Sequence, residues 1–526
     1  MKLSKYIGLG ALALSMGIGV SSCVGDLDLK PTDPNVKTEL TSQDEWVGYF
    51  SSLYGGFLYT GNLSTSDGGA GTFTRCHWNL NEITADEAII SNKWNDPGYT
   101  ALNFNTWLTD NEWVYAAFSR EFYMAKQTSE FINKADAANA YLPSEEVAAM
   151  KAEARVLRAY AYYWMVDLFG RGPWIDENSI TGDIPPTYNR AELFDAATAD
   201  LLATINSGDL RPAAKQVYGR VSLEAARALL AKFYLNAEVY VGKAMYAECA
   251  AQCKEIVKTI PELAPTYKYL FCSTNDRYVG NGEILWAVPQ EVGKYETWGG
   301  TTYLTAGCYV ETIDQAELVK LGAGSINAKG EFEGPSPWSG VRMRPELSTA
   351  FEAGDLRRLI YEGKFNVGVE NLDDYSATSD GYMCVKFTYT TEEDYENTQN
   401  RPLNSQLCNA DYPIMRLADV FLMLAECQYK GVDCDGLTYF NKVRERAGLT
   451  PASHLTADDI LHERMCELYF EGWRRSDLIR FGKYTGGSYN WSWKGGVYEG
   501  ASLPDFRSVF AIPYQYVKTV EQNPGY

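Results

Sequence analysis

His77, His454 and His462 are the only histidines in the 526-residue chain, and no two of them stand at a metal-ligand spacing. His462-Glu463-Arg464-Met465-Cys466 starts like a zinc-binding HExxH helix, but the second histidine is missing. The chain also carries no Walker A loop to cradle phosphate, no GxGxxG turn for a dinucleotide and no GxSxG elbow for a nucleophilic serine. Glycoside hydrolysis asks less of a sequence: two carboxylates several ångström apart suffice, and 68 acidic residues leave that chemistry open. The types in excess are aromatic, with 37 Tyr, 21 Phe and 13 Trp, more than a core usually requires. Tyr and Trp join a flat apolar face to a polar tip, which suits a ligand that is apolar on one face and hydroxylated at its rim, as sugars are.

The elements that must position such rings are helices. Val147, Met150, Ala154, Leu157, Ala161, Trp164 and Leu168 recur at three and four between Pro143 and Gly170, the spacing of one helical face, and Ser144 can cap its start. Similar patterns run over Trp113 to Phe131, Leu193 to Ile205, Leu223 to Tyr240, Met245 to Ile260, Ala418 to Tyr429 and Leu437 to Ala447. They fall in adjacent pairs, and small residues sit beside aromatic ones, as at Ala159 and Ala161 among Tyr160, Tyr162 and Tyr163. That resembles degenerate tetratricopeptide pairing, in which small residues let neighbouring helices approach. Between the helices, Gly61 to Gly71, Arg171 to Tyr188, Leu321 to Pro345, Glu362 to Tyr412 and Thr485 to Asp505 are rich in Gly, Pro, Ser and Asn. Loops of that length in a compact protein usually serve function. The expected fold is mainly α, a helical scaffold over about 41–270 and 411–480 with an irregular, loop-rich second lobe over about 271–410 and 484–510, all within a single domain 41–526.

Composition sets the class of partner. With 47 basic and 68 acidic residues the formal charge is −21, so the chain repels nucleic acid and anionic headgroups, and neutral ligands fit better. At the N-terminus, Lys2 and Lys5 precede an apolar run from Ile7 to Val20 that ends in Ser21 and Ser22, a secretory signal over 1–22. The run is shorter than the roughly 20 residues needed to span a bilayer. Val20-Ser21-Ser22-Cys23 resembles a bacterial lipobox, which makes Cys23 the expected lipidation site and 23–40 a polar, Pro-containing tether. Ten cysteines remain beyond Cys23. Cys249 and Cys253 share an apolar helical stripe and are expected in the core, whereas Cys427 and Cys434 are spaced to pair across a helix end.

Four stretches of the C-terminal third carry a family resemblance. Tyr412-Pro413-Ile414-Met415-Arg416-Leu417-Ala418-Asp419-Val420 with Leu424-Ala425-Glu426, and Asn441-Lys442-Val443-Arg444 with Ala447-Gly448-Leu449, resemble helices of the SusD/RagB family of Bacteroidetes starch-utilisation-like lipoproteins. Glu463-Arg464-Met465-Cys466-Glu467-Leu468-Tyr469-Phe470-Glu471-Gly472-Trp473-Arg474 and its continuation to Arg480 are similar to that family's ERxxELxFEGxRxxDLxR helix, and Glu521-Gln522-Asn523-Pro524-Gly525-Tyr526 to its ending. On one helix, Arg464, Glu467, Glu471 and Arg474 would alternate in charge along a face, pairing Arg464 with Glu467 and Glu471 with Arg474. Charges so placed are tolerated in a fold only when paired, so they read as a structural network.

The resemblance implies a non-enzymatic glycan binder, without cofactor or metal. It would be lipid-anchored to the outer membrane and face the exterior, where Asp26 and Asp28 resemble an export signal. It would hold oligosaccharides or polysaccharides for a SusC-like TonB-dependent transporter partner. Its ligand sites are aromatic, which by segment implies Trp94, Asn95 and Tyr99 after the first helix, and Tyr295, Trp298, Tyr303 and Trp338 in the mid-chain loops, with Trp94 and Trp298 foremost and Asn95 bonding the sugar. Within the same family peptide capture is an alternative, and a surface glycoside hydrolase is a rival from another class.

Overall fold

The computed structural model describes residues 39–59, 71–92, 94, 96–179, 182–310, 313–322, 325–326, 329–334, 336–373, 380–393 and 406–526. Cys23, the leader and most of the tether lie outside the described residues, as does Asn95. Contacts divide the chain into Met1–Gly48 and Tyr49–Tyr526. In the first unit Glu45 accepts the Thr41 N–H at 2.6 Å and Ser42 Oγ accepts the Glu45 N–H at 3.3 Å, which satisfies amides at the start of helix α1 (Gln43–Leu58).

The second unit follows the hydrophobic periodicity. After the short α2 (Phe73–Trp78) come α3 (Glu112–Lys134), α4 (Ser144–Trp164), α5 (Arg190–Ser207), α6 (Leu223–Leu235) and α7 (Tyr246–Thr259), and α3 with α4, α4 with α5 and α6 with α7 pack as sequence neighbours. Asn111 accepts the N–H groups of Trp113 and Val114 to start α3, and Asn189 with Glu192 forms a capping box on α5, which Gly208 at φ +85° ends. Ser144 is the first residue of α4, but Pro143 is the capping position and no side chain caps it. Val147, Met150, Ala154, Leu157, Ala161 and Trp164 are all buried, as their spacing requires.

Between residues 260 and 416 the described helices have at most six residues, among them α8 (Thr301–Ala306). Two antiparallel pairs tie this lobe to the scaffold. Strand β1 (Ala88–Ile90) pairs with β3 (Val341–Met343) in the register Ala88↔Met343, and β2 (Ile284–Val288) pairs with β4 (Tyr412–Arg416) from Tyr412↔Val288 to Arg416↔Ile284. Helices α9 (Leu417–Tyr429), α10 (Gly436–Arg446), α11 (Ala457–Leu468) and α12 (Arg474–Arg480) complete the scaffold. Cys427 and Cys434 are both buried free thiols, so the pairing their spacing permits is not formed, and Cys249 and Cys253 lie in the core.

The charged signature is buried as expected, but the pairing along one helix is not what forms. The chain leaves helix at Tyr469–Trp473, where Phe470 takes φ +62° and Gly472 φ +84°. Arg464 binds Asp419 (2.9 Å) and Asp477 (2.8 Å), Glu467 binds Arg416 (2.8 Å) and Arg446 (2.6 Å), and Glu471 binds Lys386 and Arg416 (both 2.7 Å). Arg474 closes on Asp86 at 2.7 Å. Three and four residues of spacing would bring partners together only on a continuous helix. The turn carries Glu471 and Arg474 off that helix, while Arg464 and Glu467, which share α11, each pair with other elements, and the network joins segments far apart in the chain.

That turn rests on two buried carboxyls. Glu87 accepts the Phe470 N–H at 2.9 Å, and Glu82 accepts those of Gly472 and Trp473. Burial raises Glu82 to about 7, and burial followed by the neighbouring Glu82 pushes Glu87 well above the ordinary range, so the pair holds a proton between them. An unfolded carboxyl near 4.5 has released that proton at neutral pH. The contribution of Glu82 is therefore complete below about pH 4.5 and lost as pH rises through about 7. Glu82→Gln keeps a donor toward Glu87 and removes that titration. Urea unfolding from pH 5 to 8 is expected to show a shallower loss of stability in this variant than in the wild type. Parallel pH curves would refute the shared proton.

Candidate ligand-binding site

Three segments meet where the two lobes join. The first leaves β1, where the Ser91 N–H donates to the Gly340 carbonyl (2.9 Å) and the Trp94 N–H to that of Ser91 (3.1 Å). The second is the loop from β2 to α8. Its hairpin is closed by reciprocal amide bonds between Glu291 and Tyr295, and its roots are held by the Gln290 N–H on Asp411 Oδ1 (2.8 Å) and by the Thr72 hydroxyl on the Gly299 carbonyl (2.9 Å). The third runs along the end of α8, where Trp338 donates its amide to Ala306 (2.7 Å) and Gly340 to Gly307 (3.1 Å).

The convergence places three indoles together. Trp94 and Trp338 lie 6.2 Å apart between ring centroids at 69°, and Trp298 and Trp338 lie 6.0 Å apart at 40°. Trp94 and Trp338 are half-buried, while Trp298 and Tyr295 keep 40% and 45% of their surface open. Rings in this state have an apolar face to offer and are fixed in place beforehand, which lowers the ordering cost of stacking on them.

Tyr99 and Tyr303, expected from the sequence to touch ligand, are instead fully buried behind the indoles. The Tyr303 hydroxyl donates to Asn79 Oδ1 (2.9 Å), and the Tyr99 hydroxyl accepts from Arg75 Nη2 (3.1 Å) and Asn79 Nδ2 (3.2 Å). Burial pushes the Tyr99 phenol up to about 12 and that of Tyr303 well above its usual value, so both remain neutral hydrogen-bonding groups. Aromatic type alone does not separate a ring that faces solvent from one that backs it.

Arg75 and Asp96 complete the backing. The guanidinium lies 4.3 Å from the Tyr303 ring centroid, 5.0 Å from that of Trp113 and 5.9 Å from that of Trp94, and it pairs with Asp96 at 2.5 Å. The same Asp96 oxygen accepts the Trp94 indole N–H at 2.9 Å. Trp94 is thus held from behind by a buried ion pair whose charge is neutralised, which leaves the ring face, not a cation, as the feature presented to ligand.

Gly340 explains how Trp94 lies so close to the third segment. A Cβ built at Gly340 would fall 1.5 Å from Trp94 Cε3 and 1.8 Å from Cζ3, inside the ring. Gly340→Ala is expected to displace Trp94 and to weaken sugar binding by about tenfold, with about 1–3 kcal/mol lost in stability from overpacking. Titration with oligosaccharide and the tryptophan emission spectrum check this together, and a shifted spectrum with unchanged affinity would exclude a role for Trp94. Among the described residues no group of three or more His, Cys, Asp or Glu is arranged to hold a metal.

Residues 75–235, which include Arg75, Trp94 and Asp96, match a family model described as starch-binding associating with outer membrane, and residues 362–526 match the SusD family model. The starch-binding protein SusD of Bacteroides thetaiotaomicron is 26% identical across 100% of this chain and 99% of its own length. The chain belongs to the SusD/RagB family. A SusD-like protein of Bacteroides ovatus is 25% identical over 76% of this chain and 72% of its own length. The SusD fold is mirrored in solved structures. Surface glycan-binding protein A of Bacteroides thetaiotaomicron, in complex with laminarihexaose, has a TM-score of 0.68 over 92% of this chain and 100% of its own, at 19% identity. A SusD superfamily protein of Parabacteroides distasonis has 0.69 over 93% and 100%, at 20% identity. The SusD signature at 463–480 is the buried charge network described above, so the most recognisable stretch of the sequence builds the scaffold, and the aromatic cluster lies outside it.

Proposed function

We propose that the chain is a surface glycan-binding lipoprotein of the outer membrane that captures oligosaccharides by stacking them on Trp94, Trp298 and Trp338 and passes them to a SusC-like TonB-dependent transporter. The observation that carries this is the set of three indoles, held from behind by the Arg75–Asp96 pair and open in front at Trp298. A full-length relative named for starch binding and a fold-mate in complex with laminarihexaose support a sugar as the ligand. Lipidation at Cys23, with residues 23–40 as tether, would keep the site near the membrane and leave it free to meet polymer outside the cell. The chain acts by binding, without catalysis.

Three stacking contacts worth about 1.5–2 kcal/mol each give about 5 kcal/mol, a Kd on the order of 0.1 mM. Modest affinity of that size suits a protein that must release its cargo, and a polymer with repeated units gains avidity from multiple engagement. Isothermal titration with panels of oligosaccharides and of peptides tests the reading. Heat from sugars alone supports it, whereas peptide binding without sugar binding, or new reducing ends in an incubated polysaccharide, would overturn it.

A further inference from the structure

Tyr59 is an exposed aromatic outside the tryptophan cluster, 47% open to solvent, just beyond the last turn of α1. Its N–H donates to the Gly55 carbonyl at 2.9 Å, which brings the residue back over the helix. The ring then rests on Gly55, where an added Cβ would lie 3.3 and 3.5 Å from ring carbons Cδ2 and Cε2. At its far end the hydroxyl donates to the Lys294 carbonyl at 3.3 Å. Lys294 precedes Tyr295 on the loop that carries Trp298, and it forms a surface ion pair with Glu291 at 2.7 Å. The Tyr59 ring is therefore held at both ends and backed by glycine. A fixed, partly open ring of this kind is what sugar stacking requires, and holding it in advance lowers the ordering cost.

Lys294 and Trp298 are four positions apart in the chain, a stretch that spans at most about 14 Å. That limit lies within reach of a short oligosaccharide, and the same hairpin carries the Glu291 and Lys294 charges as partners for hydroxyls. We infer that Tyr59 forms an outer sugar subsite, so that the site takes linear oligosaccharides longer than the tryptophan cluster covers and grips them more tightly as they lengthen. The inference rests on the glycan reading above and adds a ligand length to it.

The test is isothermal titration of the full-length chain with maltose, maltotetraose and maltohexaose and with the corresponding β-1,3-linked laminari-series. Tyr59→Ala is expected to lower hexasaccharide affinity about five- to tenfold while disaccharide affinity stays at the wild-type value, which flattens the dependence on length. Tyr59→Phe keeps the ring, loses the tie to Lys294 and is expected to fall between. Unchanged hexasaccharide binding in Tyr59→Ala would overturn the subsite, and so would an equal loss for di- and hexasaccharide, because the residue would then act on the cluster itself. If the wild-type chain bound none of the six sugars, the reading of the site as a glucan binder would fall, and the subsite with it.

Discussion

Trp298→Ala is expected to weaken oligosaccharide binding by about thirtyfold, with a smaller loss of stability than at the more deeply held Trp94. With 40% of its surface open, an indole of roughly 250 Å² offers about 100 Å² for a sugar to cover, and at about 20 cal/mol per Å² that is worth about 2 kcal/mol. The rest of the side chain is covered by folding, in part against Trp338, so a loss of stability accompanies the lost affinity. Trp94→Ala is the instructive contrast. It should lose a comparable share of affinity and destabilise the fold more, because Asp96 gives up the indole donor and the space over Gly340 empties. Titration and denaturant unfolding of both variants separate the two cases. Full sugar affinity in Trp298→Ala would refute stacking on the most open of the three indoles.

The difference between those two tryptophans marks where sequence reasoning reached its limit. Helical periodicity placed the elements well: the seven patterned stretches correspond to helices within a few residues, because burial of one face dictates a spacing of three and four. The need for paired charges at 463–474 was also legible, since buried ions without partners are too costly to keep. Their partners were not. Arg474 finds Asp86, and Glu471 finds Lys386, across separations that no local spacing encodes. The ligand site has the same character, as residues near 94, 298 and 338 meet only through strand pairing and the end of α8. Trp94 and Tyr99 stand five residues apart in one polar stretch, yet one lines the cluster and the other backs it. Gly340 and Arg75 carried no signal by themselves, because a glycine beneath a ring and an arginine behind it acquire meaning only from what lies on them. Tyr59 was missed for a similar reason: it follows an ordinary helix and gains its place through a carbonyl more than 200 residues away.

Arg416→Met is expected to cost about 3–5 kcal/mol in stability, the largest effect of any single change considered. Arg416 is fully buried, and its guanidinium reaches Glu283 (2.7 Å), Glu467 (2.8 Å) and both oxygens of Glu471 (2.7 Å each), with a further bond to the Glu467 carbonyl (2.9 Å). Methionine fills the volume but leaves three carboxylates sharing fewer cations in a region without water. Burial pushes the Glu467 carboxyl upward, yet Arg446, Arg416 and Arg357 outweigh it and hold the group at about 2. Because that pKa is depressed, the carboxyl's stabilising contribution is present above about 4.5 and is lost as pH falls through 2. Losing one of its cations should raise the pKa and make the variant lose less on acidification than the wild type, although it starts lower. Urea unfolding at pH 7 and pH 4 measures both effects. Should Arg416→Met fail to fold, Arg416→Lys retains the charge with a single reach in place of the fork, and is expected to fold with a smaller loss. A cost below about 1 kcal/mol in Arg416→Met would show that the contacts around the β4–α9 junction do not depend on this network. The ligand site would feel the same change indirectly, since Asp411, which holds the root of the Trp298 loop, precedes β4 by one residue and Arg416 ends that strand. Weakened sugar binding in a folded Arg416 variant is therefore expected to accompany lost stability, and the two together would tie the family signature to the site it does not contain.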